Sequence, residues 1–426
     1  MKITLDTIVF IGANKSGSSR EAIKVAESLG YFTVLLTDRE KFLKQRREFP
    51  DVHHMVLTNL NSKDTMRKEI DHLIKKGLNV KSIMSLVDPF VSVACQIADE
   101  FGVNRTSCQA IEIMENKHLT RETMKDSKYN SYYLLIDGDT IHTDTLAILE
   151  RKLPLIIKSP KSTGSKDVVQ VSTMKELISE FLQMREKTSA PILIEEYLDG
   201  PQFLVEAVVY KGNISIAGMV EQEITKDLRF IVTGYTIMKD EDSDLARSLK
   251  QAAEDIIRHM GLENGTCHLE LRLVRGSWKL IEINPRISGG AMNTILKAAY
   301  GFNCVEETIK LYLGERPNLS RKTSNYVHAH YTILKKGGLL KRITGKSRAK
   351  QCPGVYTVYV KPKKGSMLVP ASSMGHRYAY VIAIGHSKEE AIKNARIAAG
   401  QITFHLADEN RVEKELPSEE HNENDQ

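Results

Sequence analysis

The sequence predicts an α/β fold that passes into α+β: a parallel sheet with crossover helices, then mixed lobes, then a smaller C-terminal α+β lobe. Three observations predict it. The first hundred residues alternate buried-type strands with amphipathic segments, Thr7–Gly12, Arg20–Leu29, Thr33–Asp38, Ser82–Val87 and Val91–Phe101, and such alternation makes βαβ units. After a helical stretch around Cys108 to Lys128, short strands at Pro154–Lys158 and Pro191–Leu198 break that rhythm. From Gln202 to Ile283 several strands follow, with one long amphipathic helix expected from Ser243 to Met260.

Beyond Pro317 further strands are expected at His328–Leu334, Val355–Val360 and Tyr378–Ile384, then a helix from Ser387 to about Leu406 that opens on the capping-box spacing Ser387-Lys-Glu-Glu390. No repeat of 20 to 50 residues is visible. The expected boundaries are 1–112, 113–318 with a lid lobe at about 120–192, 319–406, and an acidic tail at 407–426. That tail carries eight acids in twenty residues, a composition that buries little apolar area and predicts disorder.

At 426 residues the chain is long enough for two or three domains enclosing a cleft. Its 41% hydrophobic and 27% charged content is that of a soluble globular protein, and no apolar run approaches a bilayer span. The N-terminus lacks the features of a secretory signal. Cys95, Cys108, Cys267, Cys304 and Cys352 are scattered and odd in number, which argues against a disulfide framework or a zinc site and for reduced thiols in a cytoplasmic protein. The formal charge of +6 is spread along the chain, so neither nucleic acid nor membrane is an expected partner. Gly12-Ala-Asn-Lys-Ser-Gly17 lacks dinucleotide-fingerprint spacing, and a tight turn is the better reading.

The segment Cys267 to Gly290 carries most of the chemistry. Alternation places His268, Glu270 and Arg272 on one strand face and Cys267, Leu269, Leu271 and Leu273 on the other. In the next strand Glu282 and Asn284 share a face. A three- or five-residue turn through Gly276 would bring Glu270 to their side, whereas an even-numbered turn would separate them. Two carboxylates and a carboxamide together suit magnesium bridging phosphates; a solvated face paired with Lys or Arg is the plainer alternative. Lys117 and Lys158 precede the hairpin. Lys158 leads into Ser159-Pro-Lys-Ser-Thr-Gly-Ser-Lys-Asp167, a loop able to offer N–H and hydroxyl groups to phosphate, or an ordinary linker. Ile194-Glu-Glu-Tyr-Leu198 offers an extended backbone to an adenine edge.

In order and spacing these pieces resemble the ATP-grasp superfamily across nearly the whole chain, and within it the L-amino acid ligases, dipeptide synthetases whose pattern is met by His268-x-Glu270, Arg286-x-x-Gly289 and Val381 to Ala395. The resemblance implies a pre-ATP-grasp, Rossmann-like N-terminal domain, central ATP-grasp lobes and a C-terminal lobe. It implies ATP with Mg2+, or Mn2+ in its place, and two amino acids as partners, and it leaves room for a homodimer. By it Lys117 and Lys158 meet phosphate, and Ser162, Gly164 and Ser165 lie in the covering loop. Glu195, with the Glu196 and Leu198 backbone, meets adenine, and Gln202, where many members carry glutamate, meets the ribose. Glu270, Glu282 and Asn284 hold the metal, and Arg286 faces the transferred phosphoryl group.

Arg286 with the N–H groups of Gly289 or Gly290 would then stabilise an oxyanion, and Asp88, at a strand end, would receive the first amino acid or simply cap a helix before Pro89. His268 would orient the second substrate or act as a base, with a structural histidine as the plainer reading. An ATP-grasp carboxylase, another carboxylate–amine ligase and an inactive nucleotide-binding regulator are the alternatives to a dipeptide synthetase.

Overall fold

The computed structural model describes residues 4–159, 168–225, 230–239 and 243–407. Its contacts divide the chain into two compact units, one of residues 1–222 with 237–325, the other of 223–236 with 326–426. The sequence puts the start of the C-terminal lobe at 319. Residues up to Asn325 instead stay with the first unit, because Lys322 and Asn325 donate backbone bonds to Tyr300 and Ala299.

The first unit opens with a four-stranded parallel sheet in the order His54–Leu57, Phe32–Thr37, Leu5–Ile11, Leu78–Met84. Ile8 to Ile11 and Val34 to Leu36 are buried, as expected for a sheet covered on both faces by helices. The chain winds one way from Leu5–Ile11 and then crosses to its other side. That switch point, where ligands bind in open α/β sheets, leaves the loops after Ile11 and after Met84 side by side, and Asp88 belongs to the second of them.

A second, antiparallel sheet runs Tyr133–Ile136, Ile192–Glu196, Leu155–Lys158, Val168–Val171. Leu155, Ile157, Ile192 and Ile194 face a core shared with Leu149, Leu177 and Phe181 from the helices Thr143–Glu150 and Met174–Lys187. Alternation then turns Glu195 and Lys158 to the opposite face, where they meet.

The third sheet of this unit pairs Ser277–Asn284, Gly265–Val274, Gln202–Tyr210 and the strand after it, all antiparallel. Cys267, Leu269, Leu271, Leu280 and Ile283 pack against Leu249, Ala253, Ile256 and Ile257 of the helix Asp244–His259. Its other face is polar. The turn has two residues, Arg275 and Gly276, both at positive φ, which is the tight primed geometry. By parity alone an even-numbered turn separates Glu270 from Glu282, but a bulge between Glu270 and Leu271 corrects it: Leu271 pairs with Leu280 while Glu270 pairs with Glu282.

In the second unit Ile231–Ile237, Tyr326–Thr332, Ala379–Gly385 and Val355–Val360 form antiparallel pairs in that order. The helix Lys388–Gly400 starts at Ser387 as expected but does not reach Leu406. After Gly400 the segment Thr403–Leu406 is a strand paired with Gly338–Thr344. The expected acidic tail falls almost wholly outside the described residues. Among the described residues no helix is long and apolar enough to cross a membrane.

The expectation of reduced cysteines is overturned as well. Cys95 and Cys108 form a disulfide joining the helices Val91–Glu100 and Cys108–Glu115, while Cys267, Cys304 and Cys352 are free. Spacing alone could not show it, since the two sulfurs meet only when the intervening loop folds the helices together.

Candidate active site

Glu270 and Glu282 are direct cross-strand partners, and His268 faces Asn284 one step along. Like charges placed opposite each other destabilise a strand pair unless something compensates them. Carboxamides donate to both: Gln202 Nε2 to Glu270 at 2.9 Å, Gln222 Nε2 to Glu270 at 3.4 Å, and Asn284 Nδ2 to Glu282 at 3.1 Å. That last bond, with the contact between Asn284 Nδ2 and His268 Nε2, turns the Asn284 oxygen away from both. Burial pushes the Glu282 carboxyl up, yet Lys117 above all, with Lys158 and the bond from Asn284, holds it below its ordinary value. The two carboxylates are hard donors that fit a magnesium-class ion, and a flip of the Asn284 amide would turn its oxygen toward the same ion.

Lys117 opens the helix Lys117–Thr123, whose start is fixed by the Asn116 side chain accepting from His118 and Leu119 N–H. Lys158 is buried against Glu195. Burial pulls the lysine down, Glu195 draws it back up, and the net shift is downward. Glu195 also accepts from Arg121 Nε at 2.6 Å, and although burial raises it, the two cations hold it at about 2. Arg121 is 2% exposed and donates further to the carbonyls of Leu280 and Ile281, at 3.0 and 2.9 Å. It therefore satisfies the backbone beside the bulge that sets the hairpin's parity.

The loop after the hairpin carries Arg286, whose guanidinium grips both Asp88 oxygens, Nε to Oδ1 at 3.0 Å. Burial alone would raise Asp88, but Arg286 overrides it by charge and hydrogen bond, with help from Lys117, so the acid is held below its ordinary value. Asp88 caps no helix: the helix Val91–Glu100 begins after Phe90. His268 is 5% exposed, its Nδ1 2.9 Å from the Arg286 carbonyl, and burial with the Arg286 charge depresses it to about 4, leaving it neutral near pH 7. Glu206, fully buried, accepts from Ser288 N–H with both oxygens, and burial raises it to about 7. Gly289 and Gly290 are exposed. A side chain on Gly17 would lie 2.8 Å from the Gly290 nitrogen, so the first loop and this one need glycine to pass.

The structure thus brings Asp88, Lys117, Lys158, Glu195, His268, Glu270, Glu282, Asn284 and Arg286 into one connected set of contacts and charges. Ser162, Gly164 and Ser165 lie outside the described residues. Glu196 accepts from Tyr132 N–H through its side chain, and the Leu198 carbonyl is engaged by Arg272. Gln202, expected at a ribose, is clamped between Arg272 Nε at 2.9 Å and Glu270. Sequence reasoning passed over Arg121, Arg272, Glu206 and Gln222. Alternation put Arg272 on the right face, and Glu206 stands in an otherwise apolar run, but their partners are distant in sequence.

A family model described as ATP-grasp domain matches residues 151–295, and one described as L-amino acid ligase C-terminal domain 2 matches residues 330–407. The fold is similar to that of an L-amino acid ligase from Bacillus licheniformis, at TM-score 0.80 and 20% identity over 95% of this chain and 99% of that one. Among curated proteins the chain is 25% identical to an uncharacterised protein of Sinorhizobium fredii over 74% of its own length and 66% of the relative's. It is 24% identical to an alanine–anticapsin ligase of Bacillus amyloliquefaciens over 53% of its length and 52% of the relative's. The matches thus span two thirds or less of these curated relatives. The fold and both family models agree: residues 151–295 match an ATP-grasp domain, residues 330–407 match an L-amino acid ligase C-terminal domain, and the chain is similar to the L-amino acid ligases.

Proposed function

We propose that the protein is an ATP-dependent carboxylate–amine ligase that couples one amino acid to the amine of a second, yielding a dipeptide, ADP and phosphate. The observation that carries this is the pairing of Glu270 with Glu282 beside Asn284, within the field of Lys117 and Lys158. Glu270, Glu282 and Asn284 would hold Mg2+, or Mn2+ in its place, which supplies charge neutralisation to phosphate oxygens. Lys117 and Lys158 add positive charge on the nucleotide side, the 120–192 region acts as the lid lobe, and the 196–198 backbone lies along the adenine edge.

The Asp88–Arg286 pair is matched to a zwitterion. An incoming amino acid offers its ammonium to Asp88 and its carboxylate to Arg286, replacing one buried ion pair by two of the same polarity. That exchange orients the carboxylate for in-line attack, and positioning is most of what phosphoryl transfer asks of a protein. Arg286, with N–H groups of Gly289 or Gly290, then faces the oxyanion formed as the second amine attacks. His268, neutral and tied to Asn284 and the Arg286 carbonyl, positions both rather than carrying charge. The names of the related enzymes, an L-amino acid ligase and an alanine–anticapsin ligase, support amino acids as substrates.

The test is phosphate release from ATP and Mg2+ with every amino acid singly and in pairs, with mass detection of products. Pair-dependent release, with a product mass equal to the two acids less one water, is expected. Turnover that needs bicarbonate, or no nucleotide turnover with any pair, would overturn the reading.

A further inference from the structure

The second unit holds a donor set of different chemistry. His328 and His330 are two residues apart on the strand Tyr326–Thr332 and so share a face. Each has a neighbour across the pairing with Ile231–Ile237: Thr236 opposite His328, Gly234 opposite His330. Glu223 completes the group, and one ligand atom from each of the three residues lies within 4.8 Å of the others. His328 is fully buried, yet its Nε2 has no hydrogen-bond partner among the described residues; nor has His330 Nδ1.

Unpartnered buried ring nitrogens are costly, and a structure that keeps two of them beside a carboxylate calls for an explanation. Two further features give one. The Thr236 hydroxyl lies 2.8 Å from His328 Nδ1, and by accepting from that nitrogen it would fix the tautomer whose Nε2 lone pair is free, the arrangement that orients metal-bound histidines. Space is also reserved: a Cβ on Gly234 would lie 2.8 Å from Glu223 Oε2 and 2.8 Å from His328 Cε1, so a side chain there would fill the gap between the donors.

We propose that Glu223, His328 and His330 form a binding site for a borderline divalent transition ion of the zinc class. Two imidazoles and one carboxylate are the donors such ions take with a position left open, whereas the all-oxygen hairpin set suits magnesium. Tetrahedral coordination at ordinary bond lengths puts donor atoms about 3.3 Å apart, so the three side chains close up on the ion by modest rotations. The groups facing the site are Arg396, which holds both Glu223 oxygens at 2.8 and 2.9 Å from the helix Lys388–Gly400, and Lys388 on the same helix. The ion's charge takes over the role of Arg396 toward Glu223, and the half-exposed arginine swings to solvent at little cost.

The experiment is a titration of the full chain, without nucleotide, with Co2+ alone, followed by its visible d–d absorption and then by displacement with Zn2+. One equivalent of an intense, low-symmetry Co2+ spectrum is expected, bleached by Zn2+. His330→Ala and Glu223→Gln should each weaken it by more than about 100-fold, and Thr236→Val, which keeps shape but loses the hydroxyl, by about 10- to 100-fold. Glu282→Gln should leave the spectrum unchanged. His330 is only half-buried, so its truncation is the variant that keeps the fold, which far-ultraviolet circular dichroism checks. No spectrum in the wild-type chain, one that survives His330→Ala, or one lost in Glu282→Gln would each overturn the proposal.

Discussion

Two groupings of the first unit are each centred on glutamate, and their charge is met in opposite ways. Glu195 is met at hydrogen-bond range by two cations, Lys158 and Arg121; Glu270 and Glu282, opposite each other in the hairpin, take hydrogen bonds from the amides of Gln202, Gln222 and Asn284. Amides satisfy hydrogen bonding without cancelling charge. Lys158 and Arg121 thus brace Glu195 between the antiparallel sheet and the hairpin's bulge, whereas the amide bonds to Glu270 and Glu282 orient the two carboxylates without neutralising them.

Removing a partner should separate the two roles, most strongly in the brace. Glu195→Ala leaves Lys158 and Arg121 buried without this counter-ion, and losses of about 3–5 kcal/mol follow from breaking such a cluster on one side. Denaturant unfolding should show this even without nucleotide, and a variant as stable as the parent would remove the brace. On the catalytic side Arg286→Ala should slow ligation by about 10²–10³-fold, or about 2.7–4 kcal/mol, while ATP affinity changes far less. Steady-state rates beside nucleotide titration check it, and an unchanged rate would break its assignment.

Smaller still is the signature of Glu206. Its folded value, raised to about 7, lies above the ordinary carboxylate range, so its contribution to stability is full below about pH 4.5 and is lost as pH rises through about 7. Glu206→Gln should erase that dependence, gaining on the parent by roughly 1.4 kcal/mol per pH unit across the window. Parallel stability–pH curves for the two proteins would show that Glu206 is not held neutral.

The contrast also marks how far the chain can be read by eye. Alternation in Cys267 to Val274 assigns the polar and apolar faces correctly, and the apolar runs Val34–Leu36 and Leu155–Ile157 declare buried strands, because side-chain period is a local property. Parity across the turn is not local. In place of an odd turn stands a two-residue turn plus a bulge, and the bulge is supported by Arg121, about 160 residues earlier in sequence. The same limit hides the Cys95–Cys108 bond, the clamp of Gln202 by Arg272, and the raised Glu206 carboxyl, each of which exists only once distant segments meet. It also hides the end of the last helix at Gly400, where a partner strand claims Thr403–Leu406 against a continuing helical pattern.

The most direct measurement on the central claim is ADP formation by Glu282→Gln, with its unfolding curve recorded alongside. Replacing one of two facing carboxylates by an amide relieves repulsion, so the variant should be at least as stable as the parent while ADP formation falls to background at any magnesium concentration. Normal turnover in that variant would contradict the account, because the hairpin would then not be where the cation is held.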